Sequence, residues 1–178
     1  MPTKEIRTGG PFLFEEALQL ISNVNIAVIV EIGVIRDPRP IAKNADGHST
    51  VRWAASPHRV YCVDTDQRAL NITRSLIGEP YNVSLHCEDG LQFLVGFPHS
   101  IDLLYVDGPD PDEGGQEFAE RIVVNAPMAS RSVILIDDCD FQDNGKGKYA
   151  IPAAEKIGFQ LLTFGRPLQR QALLLRDL

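Results

Sequence analysis

The chain has 178 residues, enough for one domain that buries most of its apolar surface without staples. Hydrophobic residues at 44% and charged residues at 23% are ordinary globular values and argue against disorder. A net charge of -7 argues against a general nucleic-acid or anionic-membrane binder, because both need a basic face.

In chain order, Phe12, Leu13, Ala17, Leu20 and Ile21 recur at helical spacing and predict an opening helix over 12–22, within a helical extension of residues 1–25. Residues 27–32 read as the first strand. A helix is expected over 49–56 and a second strand over 59–64, with Asp66 or Thr65 capping a helix that runs to Ile77. Val83 to Cys87 is a short third strand, and 90–95 a helical turn. Ile101 to Val106 is the fourth strand. A Pro-, Asp- and Gly-rich loop over 108–115 leads to a helix ending near Ala129, and Ser132 to Ile136 is the fifth strand. A second loop, 141–148, precedes a helix containing Ala153, Ala154 and Ile157 that Gly158 stops. The last two strands, 159–164 and 171–175, are joined by too few residues for a parallel crossover, so they must form an antiparallel hairpin.

Alternating β-branched strands and helices predict an α/β fold: a single Rossmann-like, doubly wound and mostly parallel sheet spanning 1–178 and closed by that hairpin. The three cysteines, Cys62, Cys87 and Cys139, show no CxxC pairing and are odd in number, so neither a disulfide framework nor a zinc cage is expected. Two lie in apolar runs and read as small buried hydrophobes of a reducing compartment. The amino terminus lacks the apolar stretch of a signal peptide, and the most apolar segment, 26–35, is far short of the roughly 20 residues that span a bilayer. A cytoplasmic protein is the expectation.

Three strands end in acids: the second at Asp64, the fourth at Asp107 and the fifth at Asp137-Asp138. Parallel strands align their carboxyl ends along the edge where open α/β folds bind ligands, so these carboxylates should converge there. Glu31-Ile32-Gly33 closes the first strand with an acid and a glycine that permits close backbone approach. Asp64 is placed to accept ribose hydroxyls, as acids do in dinucleotide-binding folds.

The layout, with Val30-Glu31-Ile32-Gly33, Val63-Asp64, Cys87-Glu88-Asp89-Gly90, Val106-Asp107-Gly108 and Ile136-Asp137-Asp138, resembles the class I S-adenosylmethionine-dependent methyltransferases over about 27–175. The resemblance implies S-adenosylmethionine as cofactor. Glu31 and Gly33 would lie near its amino-acid end, Asp64 on the ribose, and Glu88 and Asp89 by the adenine. Residues 36–46 interrupt the usual glycine-rich loop, and Gly47-His48-Ser49-Thr50 reads as its displaced second half, bringing Gly47 and Ser49 to the cofactor.

Among such enzymes the chain resembles the catechol O-methyltransferase-like and cephalosporin-hydroxylase-like groups. These hold a divalent cation with one acid after the fourth strand and an acidic pair after the fifth, positions matched by Asp107, Asp137 and Asp138. Magnesium suits such oxygen ligands, and it would bind and activate a hydroxyl of a small-molecule substrate. The alternative is that Asp137 caps a turn or pairs with an arginine such as Arg166 or Arg170. The family's catalytic lysine position is occupied by Asp110, so the base is expected elsewhere: Lys146 or Lys148 of the second loop, or His48. A homodimer that lends a neighbouring surface is a further alternative, for which the sequence supplies no supporting pattern. Two rival readings are a nicotinamide-dependent oxidoreductase, disfavoured by the missing GxGxxG, and a non-catalytic relative that kept the fold.

Overall fold

A computed structural model describes residues 12–36, 48–165 and 170–177. Strand β1 (Val28–Ile32) lies inside the sheet, with β2 (Arg59–Asp64) parallel on one side and β4 (Ile101–Val106) parallel on the other. Strand β3 (Val83–Cys87) extends the sheet beyond β2, and β5 (Met128–Ile136) extends it beyond β4, both parallel. Strand β7 (Ala172–Arg176) runs antiparallel to β5, and β6 (Gln160–Phe164) antiparallel to β7. The order is therefore β3-β2-β1-β4-β5-β7-β6, a mostly parallel sheet closed by the expected hairpin.

Helices cover both faces because the inner strands alternate two sets of buried apolar side chains. Ile29, Leu103, Val133 and Leu135 face α1 (Phe14–Leu20), α2 (Ser49–Ala54) and α3 (Gln67–Ile77), burying Phe14, Ala17, Trp53 and Leu70. Val30, Leu104, Val106 and Ile134 face α4 (Gly90–Gly96), α5 (Glu113–Asn125) and α6 (Gly147–Lys156), burying Phe93, Ile122, Val123 and Ala154. At about 25 cal/mol per Å2 of apolar surface, these two layers are the main stabilising contribution to the fold. Leu13 N–H donates to Gln171 Oε1 at 2.7 Å, tying the opening segment to the start of β7.

Three aspartates start the helices behind β2, β3 and β4. Asp66 accepts from Arg68 N–H, Asp89 from Leu91 and Gln92 N–H, and Asp112 from Gly115 N–H, each satisfying amides that a helix start leaves unpaired. One boundary differs from the sequence expectation: α5 stops at Asn125, and β5 begins at Met128. The cause is Pro127, which cannot donate and disfavours a helical residue before it, so Ala126 is extended at φ -66 and ψ 129. Cys62 and Cys139 are buried and Cys87 is exposed, all as free thiols. Among the described residues no helix is long and apolar enough to cross a membrane.

Candidate functional site

The strand order reverses between β1 and β4, and there the carboxyl ends of the strands open into a crevice. Gly33 makes this possible. It has φ +91, and a Cβ on it would lie 2.5 Å from Gly108 N, so a side chain here would push the two loops apart. The amides of Asp107 and Gly108 both donate to Ile32 O at 2.8 Å, and Gly33 N–H donates to Val63 O at 2.8 Å. The floor of the crevice is thus fixed by backbone alone.

A cavity of about 270 Å3 occupies this crevice. Ile32, Gly33 and Arg36 line it from the β1 side, Val63, Asp64 and Thr65 from β2, Glu88, Asp89 and Gly90 from β3, and Gly108, Pro109 and Phe118 from β4 and α5. The buried Asp64 carboxylate is held by backbone: Oδ1 accepts Asp66 N–H at 2.8 Å and Oδ2 accepts Val34 N–H at 3.1 Å. Each carboxylate oxygen has a second lone pair, so a pair of hydroxyls can still be received. Arg36 Nη2, 3.9 Å from Asp64 Oδ2, is too far for a hydrogen bond. Glu88 is exposed on the rim, 3.7 Å from His86 Nδ1, while Asp89 carries out the helix capping described above. Apolar walls, an oriented carboxylate and a close-approach glycine together fit an adenosine-type cofactor.

Glu31 and Ser49 meet each other, and neither lines the cavity. Glu31 is fully buried on the α2 side of β1, accepting from Ser49 Oγ at 2.5 Å and Thr50 Oγ1 at 2.6 Å. Burial pushes its carboxyl up to about 7, against the lowering effect of those two hydroxyls. His48 stands half-buried at the start of α2, with its carbonyl accepting Arg52 N–H. Gly47 and Arg166 lie outside the described residues.

At the ends of β4 and β5, Asp107, Asp137 and Asp138 do converge, and two side-chain cations stand among them. Lys146, with a side chain only 1% exposed, puts Nζ 2.7 Å from Asp138 Oδ2, 3.5 Å from Asp107 Oδ1 and 2.5 Å from the Asp107 carbonyl oxygen. Arg170 pairs with both other acids, Nε 3.3 Å from Asp137 Oδ1 and Nη2 3.3 Å from Asp138 Oδ1. The arginine alternative for Asp137 is therefore realised. Tyr105 Oη donates to Asp137 Oδ2 at 2.5 Å, and Gln171 Nε2 lies 3.4 Å from the same hydroxyl. Burial, and then the neighbouring Asp137 charge, push the Asp107 carboxyl well above its usual range, with Lys146 opposing. Burial likewise raises Asp137.

The divalent-cation site implied by the resemblance does not fit this arrangement. The carboxylate oxygens of Asp137 and Asp138 are engaged by Lys146, Arg170 and Tyr105, and Lys146 Nζ also stands 3.5 Å from Asp107 Oδ1. Among the described residues, no group of three or more His, Cys, Asp or Glu side chains is disposed to hold a metal. Sequence reasoning missed Tyr105, Phe118 and Gln171. Strand alternation does place Tyr105 on the same face as Asp107, whereas Phe118 shows only ordinary helical periodicity.

No protein-family model and no curated protein matches the chain. Solved structures do match in fold. The N-methyltransferase NodS from Bradyrhizobium japonicum is 14% identical, over 92% of this chain and 93% of that one, with a TM-score of 0.64. The O-methyltransferase TomG from Streptomyces achromogenes, solved with S-adenosylmethionine, is 14% identical over 92% and 79%, with a TM-score of 0.58. The fibrillarin pre-rRNA processing protein from Methanococcus jannaschii is 15% identical over 85% and 66%, with a TM-score of 0.56. The chain has the Rossmann-like fold of the S-adenosylmethionine-dependent methyltransferases.

Proposed function

We propose that the chain is an S-adenosylmethionine-dependent methyltransferase acting on an oxygen of a small molecule. The observation that carries this reading is the cavity at the β1/β4 switch point, with the Asp64 carboxylate fixed in its wall. When bound, S-adenosylmethionine supplies an electrophilic methyl group whose transfer releases S-adenosylhomocysteine and a proton. Asp64 would receive the two ribose hydroxyls, Ile32, Val63 and Phe118 would enclose the adenine, and Glu88 on the rim would accept from its exocyclic amine. Gly33 lets the backbone approach the amino-acid end closely.

Asp107 immediately precedes Gly108 and Pro109, which line the cavity, and its side chain retains 22% exposure. It takes the acceptor's proton, a role favoured by a carboxyl that burial and then the Asp137 charge hold above the usual carboxylate range. Lys146 holds Asp107 in place through its carbonyl and carboxylate. Orientation of acceptor and methyl group within this crevice supplies much of the rate. No step requires a metal. A net charge of -7 favours a small acceptor over RNA, although fold relatives named for rRNA processing exist.

Ligand-induced stabilisation tests this reading against the nicotinamide alternative. S-adenosylhomocysteine at about 100 times its dissociation constant should add about 2.7 kcal/mol of stability, a rise of several degrees in melting temperature. NAD+ and NADP+ should add nothing. A rise with a nicotinamide nucleotide and none with S-adenosylhomocysteine would reverse the assignment.

A further inference from the structure

We infer that the ammonium of Lys146 is a tethered replacement for a divalent cation, and that removing it turns the β4/β5 acid cluster into a metal-binding site. Three observations carry this. Lys146 is buried at the N-cap of α6, where the helix dipole disfavours a positive charge, so its position is set by the acids rather than by the helix. Its Nζ reaches both strand ends, Asp138 Oδ2 beyond β5 and Asp107 beyond β4. The segment between is folded so that this lysine must return there. Asp138, Asp143 and Asn144 have φ of 53, 54 and 68, and Lys146 N–H donates to Asp138 O at 3.3 Å. Gly145, at φ +47, packs so tightly on that carbonyl that a Cβ would lie 1.9 Å from it.

Charge counting gives the consequence. Asp107, Asp137 and Asp138 face the two cations Lys146 and Arg170. With Lys146 neutralised, three carboxylates would face one cation, a deficit that a divalent ion matches. Carboxylate oxygens are the donors that hard divalent cations prefer. A buried acid cluster without its counter-charge is strongly destabilised, so metal uptake should be read directly in stability.

The inference is independent of the cofactor reading, because its test is run without cofactor. Wild-type protein is expected to give no heat with MnCl2 and to melt at the same temperature with MnCl2 or with EDTA. Lys146→Met is expected to melt roughly 10 °C lower in EDTA and to recover most of that loss in about 1 mM MnCl2. Lys146→Arg, which keeps the charge, should stay indifferent to metal. Stoichiometric Mn2+ binding by the wild type would overturn the inference. So would a Lys146→Met variant as stable as wild type, or one destabilised but unresponsive to Mn2+. If Lys146→Met yields no folded protein in EDTA, its refolding in about 1 mM MnCl2 decides: recovery of folded protein supports the inference, and failure with Mn2+ as with EDTA overturns it.

Discussion

Two buried charged residues show how position along a strand or loop sets chemistry. Period-two alternation places Glu31 on the face opposite Val30 and Ile32, so its direction away from the α4 side was legible. Its partnership with Ser49 and Thr50 was not, because that depends on where α2 returns. The same holds for Lys146. Sequence marks it as a loop lysine able to approach the acids, but its seat depends on consecutive left-handed residues that only the folded loop displays. Glu31 also carries a pH dependence. A carboxyl raised from 4.5 to about 7 binds more protons folded than unfolded between those values. The stability associated with it is therefore fully present below pH 4.5 and lost as pH rises through 7, by roughly 3 kcal/mol in all. Urea unfolding at pH 5 and pH 8 should show Glu31→Gln gaining stability relative to wild type at the higher pH. An unchanged difference between the two pH values would assign Glu31 an ordinary carboxyl.

At the level of elements, the acids split between building helices and serving the crevice. The family resemblance places Asp89 beside the adenine, and it does line the cavity, yet both hydrogen bonds it makes through Oδ1 go to α4 amides. Asp89→Ala should cost about 1 kcal/mol in urea unfolding, and Asp89→Asn should cost little, because asparagine caps as well. Equal losses in both variants would mean that the cap is not what the carboxylate contributes. The strands were legible because their β-branched alternation is local. The α5/β5 boundary was misplaced because helical and strand apolar patterns overlap over 126–131. Pro127 resolves it, ending the helix early and letting β5 start four residues sooner than the apolar run suggested.

For the molecule as a whole, a reversal of strand order creates the crevice, and the acidic strand ends divide it into two halves. Convergence of Asp107, Asp137 and Asp138 follows from parallel topology and is legible in the sequence. The occupant of that cluster was not, because Arg170 arrives from the far end of the chain beside β7 and Lys146 from the loop before α6. The cofactor half depends on Asp64, whose carboxylate is oriented by the amides of Val34 and Asp66. Calorimetric titration of S-adenosylhomocysteine into wild-type protein and Asp64→Ala tests that half most directly. One site per chain in the wild type, weakened at least about tenfold in the variant by loss of a charged hydrogen-bond acceptor, is the predicted result. No binding to the wild type, or equal affinity in both proteins, would contradict it.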